Sequence, residues 1–261
     1  YYKYDNPEFI RELIDFHCEW AQQTDIIYTL RDIFAAIQIA QKCNNPLDAI
    51  KTIYANKYPK ETKQAILSLI ESKYKHLHSE PSEFSLPDNF PPCFKTQPLL
   101  DTVKSANLAF QIQRHVLLVG KKGSGVTQTA RFIAKHYSEN HDICFFCSQK
   151  VDYSDLVGKK TESGAWKDGI LTNAIKNGTS VVLDSLDSAP SELSEILVDL
   201  IDSKEINPKF KLIATSNEAN LKSLPSSLLN RLNVIYLDDQ LADLTEEQRK
   251  EFVQFLLDNE L

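Results

Sequence analysis

The chain has 261 residues, of which 42% are hydrophobic and 25% are charged, and its formal net charge at pH 7 is −7. This composition is that of a globular protein with one large domain, or with a domain and a smaller companion. No apolar stretch approaches the roughly 20 residues of a membrane-spanning helix, and so acidic a chain is not expected to bind nucleic acid directly. Because the sequence begins at Tyr1 and not with methionine, we interpret it as a segment of a longer polypeptide.

The cysteines are odd in number and scattered, at Cys18, Cys43, Cys93, Cys144 and Cys147. Only "CFFC" (144–147) has the spacing of a metal-binding pair, and the chain offers no second pair of that kind. The motif also lies in a predicted strand, where residues three apart face opposite sides. We therefore favour reduced thiols in an intracellular compartment over a metal site.

Residues 1–78 have the periodicity of helices. Apolar residues recur every three and four positions in "NPEFIRELIDFHCEWAQQ" and "TLRDIFAAIQIAQKC", and again, after Asn45-Pro46, in "PLDAIKTIYANKY" and "PKETKQAILSLIESKYKHL". This pattern predicts a small helical bundle. Residues 79–98 contain five prolines and no helical period, which predicts a linker.

From residue 99 to 240, short apolar runs alternate with helical patterns. The predicted strands are "HVLLVG", "ICFFCS", "SVVLDS", "KLIATSN" and "NVIYLDD". Apolar strands separated by helices indicate a parallel sheet covered on both faces, and so an α/β domain with five strands. Residues 241–261 return to a helical pattern and are interpreted as the start of a further helical domain.

The first of these strands leads into "GKKGSGVTQT", which is similar to a phosphate-binding loop. Glycines let backbone N–H groups turn towards an anion at the start of a helix, and a Ser or Thr hydroxyl can hold Mg²⁺. The residues in these roles are Gly120, Gly123, Ser124, Gly125 and Thr127. Val126 stands where such loops carry the lysine that neutralises the phosphates. Taken alone, the stretch also fits a strand-to-helix turn that binds nothing.

Two strand ends further along the chain carry polar residues that suit a nucleotide site. Asp184 ends a buried strand, where its carboxylate could act on the Mg²⁺ side together with Thr127; it could instead cap the following turn. Ser185 follows it and is no base at neutral pH. Asn217 could hydrogen-bond the γ-phosphate or the attacking water, although an Asn at a strand end is more often a turn former.

Arg231 lies at the end of a short predicted helix in "LPSSLLNRLNVIYL". An arginine in this position can reach the γ-phosphate of a neighbouring site as an arginine finger. Alternatively, it is a cation at a helix C-terminus on a solvated face. The sequence favours neither interpretation over the other.

The densest pattern lies in residues 151–203, "VDYSDLVGKKTESGAWKDGILTNAIKNGTSVVLDSLDSAPSELSEILVDLIDS". Its key positions are Asp155, Leu156, Gly158, Trp166, Gly169, Leu171, Ala174, Gly178, Asp184, Ala189 and Pro190. Together with the loop and "SSLLNRL" (226–232), this pattern resembles the AAA+ ATPases and, within them, the midasin family. Active modules of that family have Lys in place of Val126 and Glu in place of Ser185. The resemblance also favours a packing role for Trp166 in a short hairpin over contact with a partner.

The first part fits the same family, since "YTLRDIFAAIQIAQ" (28–41) resembles the helical lid that ends each module. The resemblance implies that residues 1–78 are the lid of a preceding module and that 79–98 link it to the next. Residues 99–240 would be the five-stranded α/β domain of that next module, and 241–261 the start of its own lid. By position, Arg31 would be the sensor 2 arginine that faces the preceding module's nucleotide.

The resemblance implies a six-module ring that uses ATP to remodel pre-60S ribosomal particles in the nucleus, with the neighbouring AAA+ modules of the same chain as partners. Without the lysine and the glutamate, this module is expected not to hydrolyse ATP. ATP or ADP with Mg²⁺ would bind weakly or not at all, with Mg²⁺ at Thr127 and Asp184. No membrane contact is expected.

Several other functions remain open on the sequence. An inactive module of a dynein heavy chain, or of a giant ubiquitin ligase with a dynein-like core, also resembles this pattern. The "W-K-D-G" and "L-R-D" stretches argue against dynein. A stand-alone GTPase or restriction motor fits less well, because a lid precedes the α/β domain here. A scaffold that binds no nucleotide is the remaining alternative.

Overall fold

The structure is a computed structural model that describes residues 6–22, 28–43, 45–77, 96–137, 143–150, 153–203, 206–237 and 244–258. A helical part comes first, followed by an α/β part. Within the described ranges, none of the helices combines the length and apolarity needed to cross a bilayer.

The helical part contains α1 (Pro7–Ala21), α2 (Leu30–Cys43), α3 (Pro46–Tyr54) and α4 (Lys60–Lys73), with 3₁₀ turns at Ala55–Lys57 and Lys75–Leu77. Two of these helices begin in the same way: Asn6 and Asn45 each accept a hydrogen bond from a first-turn N–H, and a proline follows. This start suits a helix because the proline N–H that is missing would have no partner there. The helical prediction for this part is confirmed.

The aromatic residues of the helical part form the centre of its core. Phe16 and Tyr54 are almost fully buried and meet edge to face, with ring centroids 5.1 Å apart. His17 and Tyr54 are joined by a 2.9 Å hydrogen bond between Nδ1 and the hydroxyl. Desolvation by burial lowers the pKa of His17, so the ring is neutral at physiological pH.

The α/β part contains α5 (Gln97–Gln111), β1 (His115–Gly120), α6 (Val126–Tyr137), β2 (Ile143–Phe146), α7 (Tyr153–Leu156), β3 (Gly158–Lys160), β4 (Trp166–Asp168), α8 (Ile170–Asn177), β5 (Ser180–Asp184), α9 (Ser191–Ile201), β6 (Lys211–Asn217), α10 (Ser226–Leu229) and β7 (Leu232–Tyr236). Helix α11 (Glu246–Asp258) follows. The main sheet has the order β2-β5-β6-β1-β7, and every pairing in it is parallel. This confirms the five-stranded parallel sheet with flanking helices.

Both faces of the sheet are buried, as a parallel sheet requires. Along β1, Leu117 and Val119 belong to one apolar cluster, and Val116 and Leu118 to another. Cys147 packs in the first cluster, while Cys144 packs against the second. The prediction that these two thiols face opposite sides is therefore confirmed.

Helix α5 begins inside the segment that was predicted to be a linker. The Thr96 hydroxyl accepts the Leu99 N–H, and Pro98 lies in the first turn, where its missing N–H costs nothing. Pro98, one of the prolines that led to the linker prediction for residues 79–98, thus belongs to the start of a helix. Residues 79–95 lie outside the described ranges.

Trp166 lies in the antiparallel hairpin of β3 and β4, opposite Lys160. Its indole N–H donates to Asp168 Oδ1 over 2.9 Å, within the same hairpin. The side chain is nevertheless 56% exposed. The hairpin position agrees with the sequence prediction, and the ring lies close to Gly158 on the opposite strand, but more than half of the residue is exposed.

A buried charge cluster joins the two parts of the chain. Asp32, on α2, is fully buried and contacts the ammonium of Lys57 at 3.0 Å and the guanidinium of Arg114 at 3.2 Å. Arg114 lies between α5 and β1 and also donates to the carbonyl of Asn230 over 3.0 Å. One carboxylate of the helical part is thereby linked to two segments of the α/β part.

The ionisation of this cluster follows from its surroundings. Burial alone would raise the pKa of Asp32, but the positive charges of Lys57 and Arg114, with the Thr29 N–H, lower it below the ordinary carboxyl value. The ammonium of Lys57 also lies 4.5 Å from the centre of the Tyr28 ring. Asp32 is therefore a carboxylate at neutral pH, and its charge is needed to offset the two buried cations.

Helix α5 makes further contacts between the parts. The Asn56 amide donates to the Ser105 hydroxyl over 2.8 Å, and Lys104 pairs with Asp48 at 2.8 Å. Leu108 packs in the core of the helical part. Helix α5 therefore belongs in sequence to the α/β part and by packing to both.

We expect Asp32→Ala to lower the free energy of unfolding by about 3–5 kcal/mol, because it leaves the buried ammonium of Lys57 and the partly buried guanidinium of Arg114 without a carboxylate. Urea unfolding at neutral pH measures this change. The matched control is Glu71→Ala, which removes the exposed partner of Lys51 and should cost less than about 1 kcal/mol. Similar losses in the two variants would contradict a structural role for the buried cluster.

Since the pKa of Asp32 is lower in the folded chain, its contribution is present above the ordinary carboxyl pKa of about 3.9 and is lost as the pH falls through the lower folded value. The difference in stability between wild type and Asp32→Ala should shrink over that acid range.

Candidate nucleotide-binding site

The glycine loop has the turn that its sequence predicts. Gly123 and Gly125 have φ angles of +89° and +83°, which glycine adopts without strain, and α6 starts directly after them. The N–H and the hydroxyl of Ser124 both donate to the carbonyl of Lys121, over 3.1 and 2.8 Å. These two bonds form a tight turn from Lys121 to Ser124, between Gly120 and the helix.

Gly120 is required by the close approach of the rest of the loop. A Cβ atom at this position would lie 2.6 Å from both the Ser124 hydroxyl and a methyl group of Val126. Val126 is half-buried and packs against the apolar cluster under α6. Its side chain therefore contributes to the core at the position where a phosphate loop presents its cation.

Thr127 and Asp184, the predicted Mg²⁺ ligands, lie in direct contact. The Thr127 hydroxyl donates to Asp184 Oδ1 over 2.8 Å, and the Thr215 hydroxyl donates to the same oxygen over 2.6 Å. Hard oxygen ligands of this kind fit Mg²⁺. Any ion at this point would have to replace the bond between Thr127 and Asp184.

Thr215 was missed by the sequence analysis. It lies on β6, beside the end of β5, because Leu183 is paired with Ala214 in the register of these strands. Its hydroxyl donates to Asp184 and accepts from the backbone N–H of Ser185 over 2.8 Å. The available signal was a threonine two positions before Asn217 in a buried strand, which is too common a pattern to single out.

Ser185 occupies the position of the water-polarising acid in the family that the sequence resembles. Its backbone is left-handed, with φ +58° and ψ +50°, and its N–H is bonded to Thr215. A hydroxyl in this position carries no charge at neutral pH and is not a general base. The residue directly after Asp184 is therefore a neutral hydroxyl and not a carboxylate.

Asn217 makes the hydrogen bonds of a turn former. Its side-chain oxygen accepts the Ala219 N–H over 3.0 Å and starts the 3₁₀ helix Glu218–Ser223. Its backbone N–H donates to Asp187 over 3.3 Å. The strand register sets Asn217 directly beside Gly120, next to the loop. Its side-chain oxygen, however, is already bonded to the Ala219 N–H.

Arg31, the sensor 2 candidate, and Arg231, for which an arginine finger and a helix-end cation were both left open, converge on one carboxylate. Arg231 donates from Nε to Asp202 Oδ2 over 2.9 Å, and its Nη2 contacts the same oxygen. Arg31, from the helical part, reaches the other oxygen of Asp202 at 3.5 Å. Hydrogen bonding from Arg231 lowers the pKa of Asp202 despite a small opposing effect of burial.

Arg231 also makes the contact expected of a cation at the end of a helix. Its Nη1 donates to the carbonyl of Ser227 in α10 over 2.6 Å. Arg231 therefore interacts with the helix as a C-terminal cation would, and it also lies next to Arg31. The sequence analysis did not single out Asp202, the carboxylate that gathers the two arginines.

A cavity of about 560 Å³ lies on one side of the loop. It is lined by Pro59–Thr62 of the helical part and by Gly120–Ser124, Glu218, Tyr236 and Leu237 of the α/β part. These α/β residues lie at or just beyond the carboxyl ends of three neighbouring strands, β6, β1 and β7, where open parallel sheets bind ligands. The residues that line it do not include Thr127 or Asp184.

Comparison with known proteins agrees with this architecture. Residues 115–232 match the AAA domain of the dynein-related subfamily. Midasin of Dictyostelium discoideum is 29% identical over 151 residues, which is 49% of this chain and 2% of that protein. Midasin of Giardia intestinalis is 30% identical over 155 residues, which is 50% of this chain and 3% of that protein.

An ORC1-type DNA replication protein of Thermoplasma volcanium is 28% identical over 196 residues, which is 66% of this chain and 46% of that protein. The parallel sheet, the glycine loop and the matched segment define an α/β domain of the AAA+ class. Within that class, the family match and the similarity to two midasins support a midasin-like AAA+ module. It spans only a few per cent of the length of the midasins that it matches.

We expect Val126→Lys to raise the affinity for ATP by about 10- to 150-fold, because a charged hydrogen bond contributes about 1.5–3 kcal/mol. Calorimetric titration measures the affinity. The control is Ser163→Lys, which adds the same charge in the exposed turn between β3 and β4; an equal gain in both variants would show that only net charge matters.

Proposed function

We propose that this module does not hydrolyse ATP and has a structural or regulatory role within a ring of AAA+ modules. The observation that carries the proposal is that the half-buried, uncharged side chain of Val126 packs against the apolar core at the position of the phosphate-binding lysine. The neutral Ser185, next to the metal-side Asp184, supports it.

The size of the catalytic loss follows from what these two residues cannot do. A lysine neutralises charge that develops on the transferred phosphoryl group, and an acid after β5 polarises the attacking water. Removing one such group costs ~10²–10⁴ in rate, and losses of groups that act together do not simply add. A module that lacks both has no efficient route to turnover.

The remaining parts of the loop support weak nucleotide binding at most. The backbone nest of Gly123 to Thr127 and the oxygen pair of Thr127 and Asp184 are retained. Magnesium bound with a nucleotide would neutralise phosphate charge at that oxygen pair. The residues of this chain would orient the anion through backbone N–H groups, without a side-chain cation at position 126.

We further propose that the helical part is the lid of the preceding module and that residues 244–258 begin the lid of this one. In that arrangement, Arg31 acts as sensor 2 and Arg231 as an arginine finger, both towards the nucleotide of the preceding module. Their convergence on Asp202 supports a shared target, because arginines from two parts of the chain meet at one point.

The parent protein, on this proposal, is a midasin-like ATPase that remodels pre-60S ribosomal particles in the nucleus. The similarity to two midasins, each over about half of this chain, favours this interpretation over an inactive module of a dynein or of a ubiquitin ligase. The partners of this segment are then the neighbouring AAA+ modules of the same polypeptide, and the ribosomal precursor is contacted by the whole assembly.

We expect the purified chain to release phosphate from ATP far more slowly than ~1 s⁻¹, the lower range of ordinary ATPases. A coupled phosphate-release assay measures this rate. Asp184→Asn is the control, since turnover that survives this change comes from a contaminant. Turnover of ~1 s⁻¹ or more that Asp184→Asn abolishes would refute the proposal.

We expect Arg231→Ala to lower ATP turnover of the intact multi-module protein, since loss of an arginine finger costs ~10³-fold or more at the affected site. Nucleotide binding by the isolated chain should not change. Arg249→Ala, in exposed α11, is the matched control. If the intact protein keeps full turnover without Arg231, the finger role is wrong and the arginine is a helix-end cation.

A further inference from the structure

Asp202 lies between two arginines that come from different parts of the chain. Its Oδ2 atom accepts from Nε and Nη2 of Arg231, the first over 2.9 Å, and its Oδ1 atom lies 3.5 Å from Nη1 of Arg31. One carboxylate oxygen is thus used by an arginine of the α/β part and the other by an arginine of the helical part. The negative charge between them brings together two guanidinium groups that would otherwise repel each other.

The charge of Asp202 is not placed to stabilise its own helix. Asp202 is the C-cap residue of α9, whose last turn carries no basic side chain. A carboxylate at a helix C-terminus faces the negative end of the helix dipole, which is unfavourable. Arg31 has the converse position, in the first turn of α2, where a cation is unfavourable. The two charges therefore suit each other and not the helices that carry them.

The ion pairs of Asp202 also add little to the stability of the fold. The side chains of Asp202 and Arg31 are 41% and 53% exposed, and exposed ion pairs contribute little because water and salt screen them. The two parts of the chain are already joined through the buried carboxylate of Asp32. What Asp202 adds is the orientation of Arg231.

The guanidinium of Arg231 is fixed from two sides. Asp202 accepts from Nε and Nη2, and the Ser227 carbonyl accepts from Nη1 over 2.6 Å. A guanidinium is planar and carries its N–H groups in a rigid fork, so contacts on two edges define its orientation. Among the described residues, these contacts leave one N–H on each terminal nitrogen for a further acceptor.

We propose that Asp202 is a positioning residue, which holds Arg231 and Arg31 in the arrangement that acts on the nucleotide of the preceding module. This inference rests on the proposed function of the two arginines and adds the group that orients them. Asp202 acts through Arg231 and contacts no reacting atom.

The charge balance of this cluster agrees with a positioning role. Two arginines and one carboxylate leave a net positive charge, so the cluster still attracts an anion. Without the carboxylate, the two cations would move apart, and Arg231 would keep its charge but lose its position. A misplacement of ~1 Å can cost ~10² in rate.

ATP turnover by the intact multi-module protein tests the proposal. Asp202→Asn keeps the size of the side chain and removes its charge. We expect the share of kcat that depends on Arg231 to fall at least about tenfold, with KM changed by less than about threefold. Asp202→Glu restores the carboxylate and should recover a measurable part of the rate. The matched control is Glu195→Gln, which removes an exposed acid from the same helix and should leave kcat unchanged.

A double-mutant cycle separates positioning from a general effect on the ring. If Asp202 acts through Arg231, adding Asp202→Asn to Arg231→Ala lowers turnover no further. A further loss in the double variant would overturn the proposal. Unchanged or faster turnover in Asp202→Asn alone, while Arg231→Ala is slow, would overturn it without affecting the finger role. If Arg231→Ala has no effect, the finger role is wrong and this inference is wrong with it.

The position of Arg231 has a separate readout in the 261-residue chain. A hydrogen-bonded Nε–H exchanges slowly with water and gives a sharp NMR signal, which its loss in Arg231→Lys assigns. We expect Asp202→Asn to broaden or remove this signal and Glu195→Gln to leave it. Thermal unfolding verifies that each variant retains the fold, since the exposed pair contributes little to stability. A signal that Asp202→Asn leaves unchanged would overturn the positioning role, whatever the turnover assay shows.

Discussion

Asp32 is the residue on which the arrangement of the two parts of the chain depends. It is a fully buried carboxylate between two cations, one from the helical part and one from the α/β part. A buried ion needs a partner in place, because the loss of hydration is offset only by close opposite charge and good hydrogen bonds. These charge interactions therefore help to hold the two parts in one relative position. Apolar packing alone is not directional and would define that position less well. The cavity and the pair of arginines both lie along the junction that this cluster fixes.

The site beside that junction has the backbone architecture of a phosphate-binding loop but differs from it in two side chains. The glycine turn, the start of α6 and the oxygen pair of Thr127 and Asp184 reproduce the architecture of a phosphate-binding module. On the proposed function, the charges that would act in a reaction are missing: the half-buried Val126 packs against the core where the family has a lysine, and Ser185 follows Asp184. Parallel strands that end at one edge of a sheet bring polar residues together there, whether or not all the residues needed for catalysis are present.

The sequence predicted the elements that depend on local pattern and missed the contacts that depend on distant partners. The five strands, the glycine turn and the meeting of Thr127 with Asp184 followed from periodicity, glycine spacing and strand ends. The helix that starts at Gln97 was taken for linker, because prolines mark helix starts as well as extended chain. Thr215 and Asp202 were missed, since each gains its meaning from residues that are far away in the sequence. The cavity could not be predicted, because its walls come from two parts whose packing is set by a tertiary ion pair.

Arg114 connects the buried cluster to the surface arginines through adjacent residues. It holds Asp32, whose neighbour in the chain is Arg31, and it holds the carbonyl of Asn230, whose neighbour is Arg231. The backbone segments that carry the two arginines are thus both bound to Arg114. A change in the relative position of the two parts would therefore disturb the contacts of Arg114 and the meeting of Arg31 and Arg231 at Asp202 together.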